Sequence, residues 1–558
     1  MHKISFLPEN RKIDVDDGVS ILEAAQKAGV FINNLCGGNG VCGKCKVQVK
    51  NAGIHADKNS MSLLSKEEIN QGYVLACQTK IRSDMEIIIP PESSLEEEQI
   101  LLDEEPFNYS KPERIMLHRL PSDPAKLFEP LIHSVYIEID EPTIADNVSD
   151  TDRIARELRK KPGYEALECT LGCLQNLATE LRNGMWKVTF TLARKDNTWK
   201  ILHVKNGNNT GCNYGLAIDI GTTTVVVQLI NMKSGNVIGV EGNHNLQSRY
   251  GEDVISRMIY ACGREQGLNS LHNAIIKNIN DLINSLTEKK GVDPNDIHAI
   301  AAAGNTTMSH LFLNLIPCAI RLAPYVPTTS VYPRISAKEI GVNIDPDAIV
   351  ETLPSISSYV GGDIVAGILA CGIADRPEIR VLIDIGTNGE IAVGNNEWLV
   401  CCSASAGPAF EGGGIQNGMR ATRGAIEKLF INEGNVRYET IGNAKPRGIC
   451  GSGLIDCLYE MTRNHIIDGQ GIFDLSKNNG RMIEKDGELR FILAYPDETE
   501  SGNELVITQS DINHLIRSKG AVFAAIKSLM DYVGLRFKDI DTFYVAGGFG
   551  SFLDIKKS

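Results

Sequence analysis

The sequence predicts a multidomain protein of mixed α/β and α+β class, and three observations support that prediction. The chain has 558 residues, 42% of them hydrophobic, which is too long for one core and predicts about three or four domains. Four cysteines are concentrated within about the first 90 residues. From residue 214 onward apolar strands end in Gly/Thr loops, and the sequence Asp-Ile-Gly-Thr occurs twice, about 165 residues apart.

Residues 1–92 are predicted to form a small domain rich in strands. Ser20 and Glu23 have the spacing of a helical capping box, and Gly29 is expected to end the helix that follows. Residues 85–89 alternate between apolar and polar side chains, which predicts a closing strand before Pro-Pro.

Four cysteines in this domain follow the spacing C-x5-C-x2-C-x31-C. Four thiolates suit an iron–sulfur cluster, and three close cysteines plus a distant one are typical of a [2Fe–2S] site. Zinc is the alternative, although zinc sites more often use two pairs of similar spacing. Glycines between the cysteines permit the unusual backbone angles of a loop around a cluster. The predicted metal ligands are Cys36, Cys42, Cys45 and Cys77.

A linker and a small middle domain are predicted next. Residues 93–125 are rich in glutamate and proline, which predicts a linker with at most a short helix over 95–102. Residues 126–206 predict a mixed α/β middle domain without a chemical motif. The elements expected there are a strand over 134–139, a helix over 150–160 and a hairpin of strands 186–192 and 199–204.

The other ten cysteines stand mostly alone in apolar surroundings, which predicts small buried side chains. Cys169 and Cys173 are expected on one helix, four residues apart, and a metal pair is the alternative there.

The composition excludes some partners. The formal net charge is -14, which argues against nucleic acid or an anionic membrane as a bulk partner. The N-terminal residues contain no apolar signal segment, and no run of apolar residues is long enough to span a membrane. We therefore expect a soluble, cytoplasmic protein.

Two strand–turn–strand patterns indicate a phosphate-binding site. Asp219 and Asp384 each end a strand, and each is followed by Ile-Gly-Thr. Glycine allows the close turn, and threonine amides and hydroxyls can surround phosphate oxygens. We expect the two carboxylates to face each other across a cleft, one orienting Mg²⁺ and the other the attacking water. The candidate nucleotide-binding residues are Gly221, Thr222, Thr223, Thr224, Gly386, Thr387 and Asn388.

A third glycine motif lies near the end of the sequence, where an apolar strand enters the turn Gly547-Gly548-Phe-Gly550. Glycines there would let an adenosine lie against the backbone. A less specific glycine stretch precedes Asn305, which is expected to begin a helix and to contact phosphate or only to cap that helix.

These motifs carry two resemblances. The cysteine loop resembles that of [2Fe–2S] ferredoxins over roughly 90 residues, which implies a β-grasp, ferredoxin-like domain. The three glycine motifs resemble the phosphate-1, phosphate-2 and adenosine motifs of the acetate kinase/sugar kinase/Hsp70/actin superfamily. That resemblance implies a two-lobed ATPase domain over residues 207–558. In the superfamily a helix follows the adenosine motif, so we expect a truncated nucleotide site where the sequence ends at Ser558.

The whole chain resembles the reductive activators of corrinoid enzymes, in which a [2Fe–2S] domain, a linker, a middle domain and an ATPase domain follow in this order. The resemblance implies that one electron passes to a corrinoid protein and restores Co(I) from inactive Co(II) at the expense of ATP. The implied cofactors are a [2Fe–2S] cluster, ATP and Mg²⁺. The implied partners are a corrinoid protein of a methyltransferase system, or the corrinoid iron–sulfur protein, and an upstream low-potential electron donor. A homodimer is compatible with the superfamily.

Three other functions are alternatives. Activators of 2-hydroxyacyl-CoA dehydratases pair this ATPase fold with electron transfer, but they lack a ferredoxin domain. A small-molecule kinase with an attached redox sensor would phosphorylate a free sugar or acid. A ferredoxin-like carrier, whose C-terminal domain only binds nucleotide or a partner, would show no basal ATPase activity.

Overall fold

The computed structural model of this chain describes most of its residues. The described residues are 1–33, 40, 43–50, 63–64, 66–90, 93, 130–164, 166–195, 198–386, 388–405, 407–432, 434–477, 480–485, 487–547, 554 and 557. They form two compact units. The first unit contains Met1–Leu101, Leu246–Gly267 and Gly367–Ser558, and the second contains Leu102–Asn245 and Leu268–Ala366.

The N-terminal part of the first unit is a five-stranded mixed sheet in the order β2-β1-β5-β3-β4, as expected for a ferredoxin-like domain. Ser20 caps the first helix, and its N–H donates to Glu23 Oε2 at 3.1 Å, so the predicted capping box is confirmed. Gly29, at φ 72°, ends the helix. The elements are β1 (His2–Leu7), β2 (Arg11–Val15), α1 (Ile21–Ala28), β3 (Lys46–Lys50), α2 (Lys66–Asn70), β4 (Tyr73–Leu75) and β5 (Met85–Ile88).

The second unit begins with a four-stranded sheet in the order β6-β8-β9-β7, covered by two helices. The prediction that Cys169 and Cys173 share a helix is wrong. Thr170 caps the helix between them by accepting the Cys173 N–H at 3.0 Å, which leaves Cys169 at the end of a strand. The elements are β6 (Ile132–Glu138), α3 (Asp150–Arg159), β7 (Leu167–Cys169), α4 (Leu171–Asn183), β8 (Lys187–Lys195) and β9 (Thr198–Asn206).

A six-stranded sheet in the order β12-β11-β10-β13-β15-β14 forms the rest of the second unit. Its strands β10, β13 and β15 run parallel to one another, and β11 and β12 continue from β10 as an antiparallel meander. The elements are β10 (Tyr214–Ile220), β11 (Thr224–Asn231), β12 (Val237–His244), α5 (Val254–Gly263), α6 (Gly267–Lys290), β13 (Ile297–Gly304), α7 (Thr306–Phe312), β14 (Ile335–Ser336), α8 (Ala337–Ile340), β15 (Ile349–Thr352) and α9 (Gly362–Cys371). Of these, α5 belongs to the first unit, and α9 belongs to the first unit from Gly367 onward.

The C-terminal part of the first unit contains three small sheets, in the orders β18-β17-β16-β25, β20-β19-β21 and β22-β23-β24. A core that includes Leu429, Leu454 and Phe491 joins the second and third of these sheets to the helices beside them. The elements are β16 (Arg380–Ile385), β17 (Gly389–Gly394), β18 (Leu399–Ala404), β19 (Ala425–Asn432), β20 (Asn435–Thr440), β21 (Gly448–Ile449), α10 (Gly451–Arg463), β22 (Met482–Lys485), β23 (Glu488–Ala494), β24 (Leu505–Thr508), α11 (Gln509–Tyr532) and β25 (Thr542–Ala546).

The predicted linker, residues 93–125, lies outside the described residues except for Ser93, and so does the short helix expected over 95–102. Ser93 Oγ donates to the carbonyl of Lys44 at 3.0 Å, which fastens the end of the ferredoxin-like domain beside the cysteine loop. Within the described ranges, every helix is too short or too polar to cross a membrane.

Candidate cluster and nucleotide sites

Cys45 and Cys77, two of the four predicted cluster ligands, lie next to each other. Their Sγ atoms are 3.3 Å apart. Cys45 is buried immediately before β3, and Cys77 is half-buried in the turn after β4. The N–H of Ala76 donates to the carbonyl of Cys45 at 2.8 Å, so the backbone itself joins the two segments.

The surroundings of Cys77 favour a thiolate. A hydrogen bond from the Cys45 thiol lowers the pKa of Cys77 to about 6, against the opposing effect of burial. The side-chain amide of Gln78 and the backbone N–H of Gly40 lower this pKa further. Thiolates, not thiols, bind iron, so the lowered pKa favours the form of Cys77 that can bind a metal cluster at neutral pH.

The described part of the loop fits a [2Fe–2S] cluster. A tetrahedral metal with bonds of about 2.3 Å holds two ligand sulfurs about 3.8 Å apart, so the Cys45–Cys77 separation needs only a small adjustment. Gly40 and Gly43 have φ of 73° and 69°, as a loop that wraps a cluster requires. Cys36 and Cys42 lie outside the described residues, so their role as ligands stays a prediction.

The first Asp-Ile-Gly-Thr sequence forms a tight hairpin between β10 and β11 in the second unit. Asp219 is exposed near the end of β10, opposite Val226. A Cβ at Gly221 would lie 2.6 Å from the carbonyl oxygen of Thr224, so the turn has room only for glycine. Asn245 fixes the turn: its Nδ2 donates to the carbonyl of Gly221 at 2.8 Å, and its N–H donates to Thr223 O at 2.7 Å.

A second turn lies beside this hairpin, because β13 runs parallel to β10 with Gly304 opposite Ile220. Asn305 follows and has two roles. Its Oδ1 accepts the Met308 N–H at 3.0 Å and caps α7, while its Nδ2 donates to Thr222 Oγ1 at 3.0 Å. The side chain of Asn305 therefore orients the hydroxyl of a predicted phosphate-binding threonine.

The second Asp-Ile-Gly-Thr sequence forms the corresponding hairpin between β16 and β17 in the first unit. The N–H of Gly386 donates to the carbonyl of Asn388 at 2.9 Å and closes the turn; Thr387 lies outside the described residues. Asp384 is opposite Glu390, so both carboxylates lie on the same face of the sheet. Ser403 Oγ donates to Glu390 Oε1 at 3.0 Å. No role is predicted for Glu390 from the sequence, although its position in the repeated hairpin motif marks it as a candidate.

The third glycine motif meets the second hairpin. Strand β25 runs parallel to β16, with Ala546 opposite Asp384. Gly547 follows at φ 90°, where an added Cβ would lie 2.7 Å from Asp384 Oδ1 and 2.6 Å from the carbonyl oxygen of Ile385. The structure thus brings two of the predicted motifs together. Gly548 and Gly550 lie outside the described residues.

The two predicted catalytic carboxylates belong to different units, Asp219 to the second and Asp384 to the first. Their expected opposition across a cleft stays a prediction.

Four protein families match consecutive stretches of the sequence. Residues 5–82 match the 2Fe-2S iron-sulfur cluster binding domain, and residues 122–211 match the RACo linker region. Residues 214–376 match the RACo middle region, and residues 378–558 match the C-terminal domain of RACo, described as the ASKHA domain.

A solved structure of a reductive activator for corrinoid, iron–sulfur protein is 41% identical to this chain, covers 100% of it and 88% of its own chain, and has a TM-score of 0.70. This chain belongs to the family of reductive activators of corrinoid proteins. The corrinoid activation enzyme RamQ of Eubacterium limosum is 28% identical over 99% of this chain and 87% of that enzyme. The [Co(II) methylated amine-specific corrinoid protein] reductase of Methanosarcina barkeri is 26% identical over 61% of this chain and 64% of that protein.

Membership of this family confirms the predicted fold class. The N-terminal domain of a corrinoid activator carries a [2Fe–2S] cluster, as predicted here in preference to zinc, and the C-terminal domain is a nucleotide-binding domain of the actin/Hsp70 type. The chain is accordingly an enzyme of the activator class.

Proposed function

We propose that this chain uses ATP to pass one electron from its [2Fe–2S] site to a corrinoid protein, restoring Co(I) from inactive Co(II). The main support for the proposal is the similarity to a reductive activator along the full length of the chain. The same chain also contains the adjacent Cys45 and Cys77 sulfurs, with a lowered pKa at Cys77, and two hairpins that resemble phosphate-binding motifs. Relatives along most of the chain are named for the same kind of activation.

In this proposal Cys36, Cys42, Cys45 and Cys77 hold the cluster. The cluster supplies storage of one electron at low potential, about −400 mV for plant-type ferredoxins. The protein contributes the lowered pKa of the Cys77 thiol, which the backbone amide of Gly40 supports, and the burial of Cys45, which shields that sulfur from solvent.

The proposed nucleotide contacts come from each of the two hairpins. Thr222 would contact a phosphate oxygen through the hydroxyl that Asn305 orients, and Asp219 would hold Mg²⁺ through water. Asp384 would orient the attacking water, since the backbone at Gly547 restricts where its carboxylate can lie. Glu390 is on the same face and is a further candidate for this role. The remaining proposed nucleotide contacts are Gly221, Thr223, Thr224, Gly386, Thr387, Asn388, Gly548 and Gly550.

ATP is needed because the electron moves uphill. For one electron, each ~59 mV of unfavourable potential difference is a factor of ten in the equilibrium constant, or about 1.4 kcal/mol. A gap of a few hundred mV therefore costs several kcal/mol. A nucleotide state that binds one form of the corrinoid partner preferentially can supply that energy.

The proposal also includes a low-potential electron donor upstream, a homodimer and a cytoplasmic location. Reducing compartments keep cysteine ligands as thiols, which suits the four proposed cluster ligands.

The test is anaerobic visible spectroscopy of a purified Co(II) corrinoid protein mixed with the reduced chain, with and without Mg-ATP. We expect the Co(I) spectrum to appear only with Mg-ATP. Co(I) formed equally well without nucleotide would support the alternative of a carrier whose C-terminal domain only docks the partner. Absence of Co(I) with every tested corrinoid protein, in a sample that retains its cluster spectrum and hydrolyses ATP, would contradict the proposal.

A further inference from the structure

Three side chains that can bind a metal converge in the second unit, outside the cluster and nucleotide sites. His203 lies on β9, His298 on β13, and Asp345 in the loop before β15. One donor atom of each lies within 4.8 Å of the other two. Asp345 Oδ2 is 2.6 Å from His203 Nε2 and 2.8 Å from His298 Nδ1. The cluster therefore joins the four-stranded sheet to the six-stranded sheet of this unit.

Both histidines lie at irregularities of their strands. The register between β8 and β9 shifts next to the pair Thr191–His203, and the register between β10 and β13 shifts at His298, which has no opposite residue. A β-bulge re-aims a side chain, and bulges are frequent beside functional sites. Two independent bulges thus direct two imidazoles at one carboxylate.

The site is enclosed, and its carboxylate is oriented by the backbone. The side chains of His298 and Asp345 are 2% and 1% exposed, whereas that of His203 is 29% exposed and gives access from solvent. Asp345 Oδ1 accepts the N–H of Asp347 at 3.0 Å, which leaves Oδ2 facing the two imidazoles. A hydrogen bond to the second oxygen of a ligating carboxylate is typical of metal sites.

The two imidazoles approach the same oxygen of Asp345, so an ion could replace the direct contacts between the three side chains. His203 Nε2 lies 2.6 Å and His298 Nδ1 lies 2.8 Å from Asp345 Oδ2. An imidazole lone pair that binds a metal is directed at the ion between the ligands, not at the neighbouring ligand atom. Ligand atoms around a tetrahedral ion with bonds of about 2.0–2.1 Å are about 3.3 Å apart, so binding needs the His298 contact to widen by about 0.5 Å and the His203 contact by about 0.7 Å.

We propose that His203, His298 and Asp345 bind one divalent transition-metal ion of the zinc class. Two imidazoles and one carboxylate suit zinc and its first-row neighbours, whereas Mg²⁺ and Ca²⁺ prefer oxygen ligands alone. Three protein ligands leave a fourth position for water, on the side where His203 reaches solvent. The ion would fasten the two sheets of the second unit together, independently of the activator function.

The test measures metal content of the full chain, purified anaerobically and dialysed against buffered micromolar free Zn²⁺. Iron is counted in the same sample, because incompletely loaded cluster cysteines also bind zinc. We expect about one zinc per chain in the parent and almost none in His203→Gln and Asp345→Asn at equal iron content. His272→Gln, which removes a different imidazole of the same unit, should retain its zinc.

Thermal unfolding provides a second measurement if a variant loses zinc by misfolding. A metal that binds the folded state raises the melting temperature, so Zn²⁺ should raise it for the parent and for His272→Gln but not for His203→Gln, and Mg²⁺ should have no effect at this site. Two results would overturn the proposal. In the first, the parent chain contains a full iron–sulfur cluster but almost no zinc; in the second, the parent and the three variants have the same zinc content and the same melting behaviour. Either result would mean that the three side chains form a hydrogen-bonded cluster only.

Discussion

Two hairpins in this chain carry the same sequence, Asp-Ile-Gly-Thr, beside different neighbouring strands. Geometry that both hairpins share follows from the turn sequence, and geometry that differs follows from the neighbouring strand. In both hairpins, the aspartate lies one residue before the end of its strand. It is opposite a residue of the antiparallel strand on one side and an alanine of a parallel strand on the other. In both, that alanine is followed by a glycine whose added Cβ would meet the carbonyl oxygen of the residue after the aspartate, at 2.7 Å for Gly304 and 2.6 Å for Gly547. The hairpins differ because only at Gly547 is the aspartate carboxylate itself among the nearest atoms, whereas Gly304 is followed by Asn305.

The difference changes what each aspartate can do. Beside the first hairpin, Asn305 holds the hydroxyl of Thr222, and Asp219 is exposed. Beside the second, Gly547 brings the backbone against the Asp384 carboxylate, and Glu390 lies on the same face. We therefore propose unequal roles for equal turn sequences, with phosphate and Mg²⁺ contacts at the first hairpin and a restrained carboxylate at the second.

The largest effect is expected from Asp384→Asn. If this carboxylate orients the attacking water, its loss should lower kcat for ATP hydrolysis by about 10²-fold or more, with KM little changed. Steady-state phosphate release at saturating Mg-ATP measures the effect, and the iron content shows that the ferredoxin-like domain is intact. Activity within a factor of about two of the parent would remove Asp384 from the reaction.

Asp219→Asn should have a smaller and different effect. A carboxylate that holds Mg²⁺ through water contributes roughly 10- to 100-fold to metal affinity, so the variant should need about tenfold more Mg²⁺ for half-maximal hydrolysis. Titration with Mg²⁺ at fixed ATP distinguishes the two hairpins, since Asp384→Asn should leave the Mg²⁺ midpoint unchanged. Identical Mg²⁺ curves for both variants would show that the two aspartates do not differ as proposed.

Gly547→Ala tests the close approach of backbone and carboxylate. The new Cβ would meet Asp384 Oδ1 at 2.7 Å and would stand at φ 90°, so we expect a loss of stability of about 1–3 kcal/mol together with slower hydrolysis. Gly534→Ala is the matched control, because Gly534 also has positive φ, 73°, but no atom within 4 Å of the added Cβ. Chemical unfolding and ATP turnover are measured for both. Equal effects in the two variants would mean that backbone strain alone, and not contact with Asp384, is responsible.

The smallest effect is expected from Asn305→Ser. Serine keeps the helix cap but removes the Nδ2 donor to Thr222, so folding stability should change little. Loss of one hydrogen bond of about 0.5–1.5 kcal/mol should raise Kd for ATP by up to about tenfold. Nucleotide titration by calorimetry provides the measurement. Unchanged affinity would show that the orientation of the Thr222 hydroxyl does not matter for nucleotide binding.

Local signals explain why much of the fold was predictable. The capping box of Ser20 and Glu23 and the glycine turn after Asp219 are encoded within a few residues, and the structure contains both. Cys169 shows the limit of such signals, because the helix expected to include it begins only after the Thr170 cap.

Contacts between distant residues were not predictable. Asn245 closes the turn at Gly221 from 24 residues away, and Asn305 reaches Thr222 across 83 residues. The cluster of His203, His298 and Asp345 combines residues from two different sheets, and a register shift lies beside each histidine. None of these pairings has a local spacing that a single sequence reveals, because each is fixed by strand order and register.

The most direct test of the account is the amount of Co(I) formed per ATP hydrolysed, measured by visible spectroscopy and phosphate release in one anaerobic reaction. Parent chain, Asp384→Asn and Cys77→Ser would be compared with the same Co(II) corrinoid protein and the same reductant. We predict that the parent forms Co(I) with ATP and that Cys77→Ser hydrolyses ATP without forming Co(I). Asp384→Asn should show neither sustained hydrolysis nor repeated Co(I) formation. Undiminished Co(I) formation in Asp384→Asn, or in the parent without nucleotide, would contradict the coupling of the two sites.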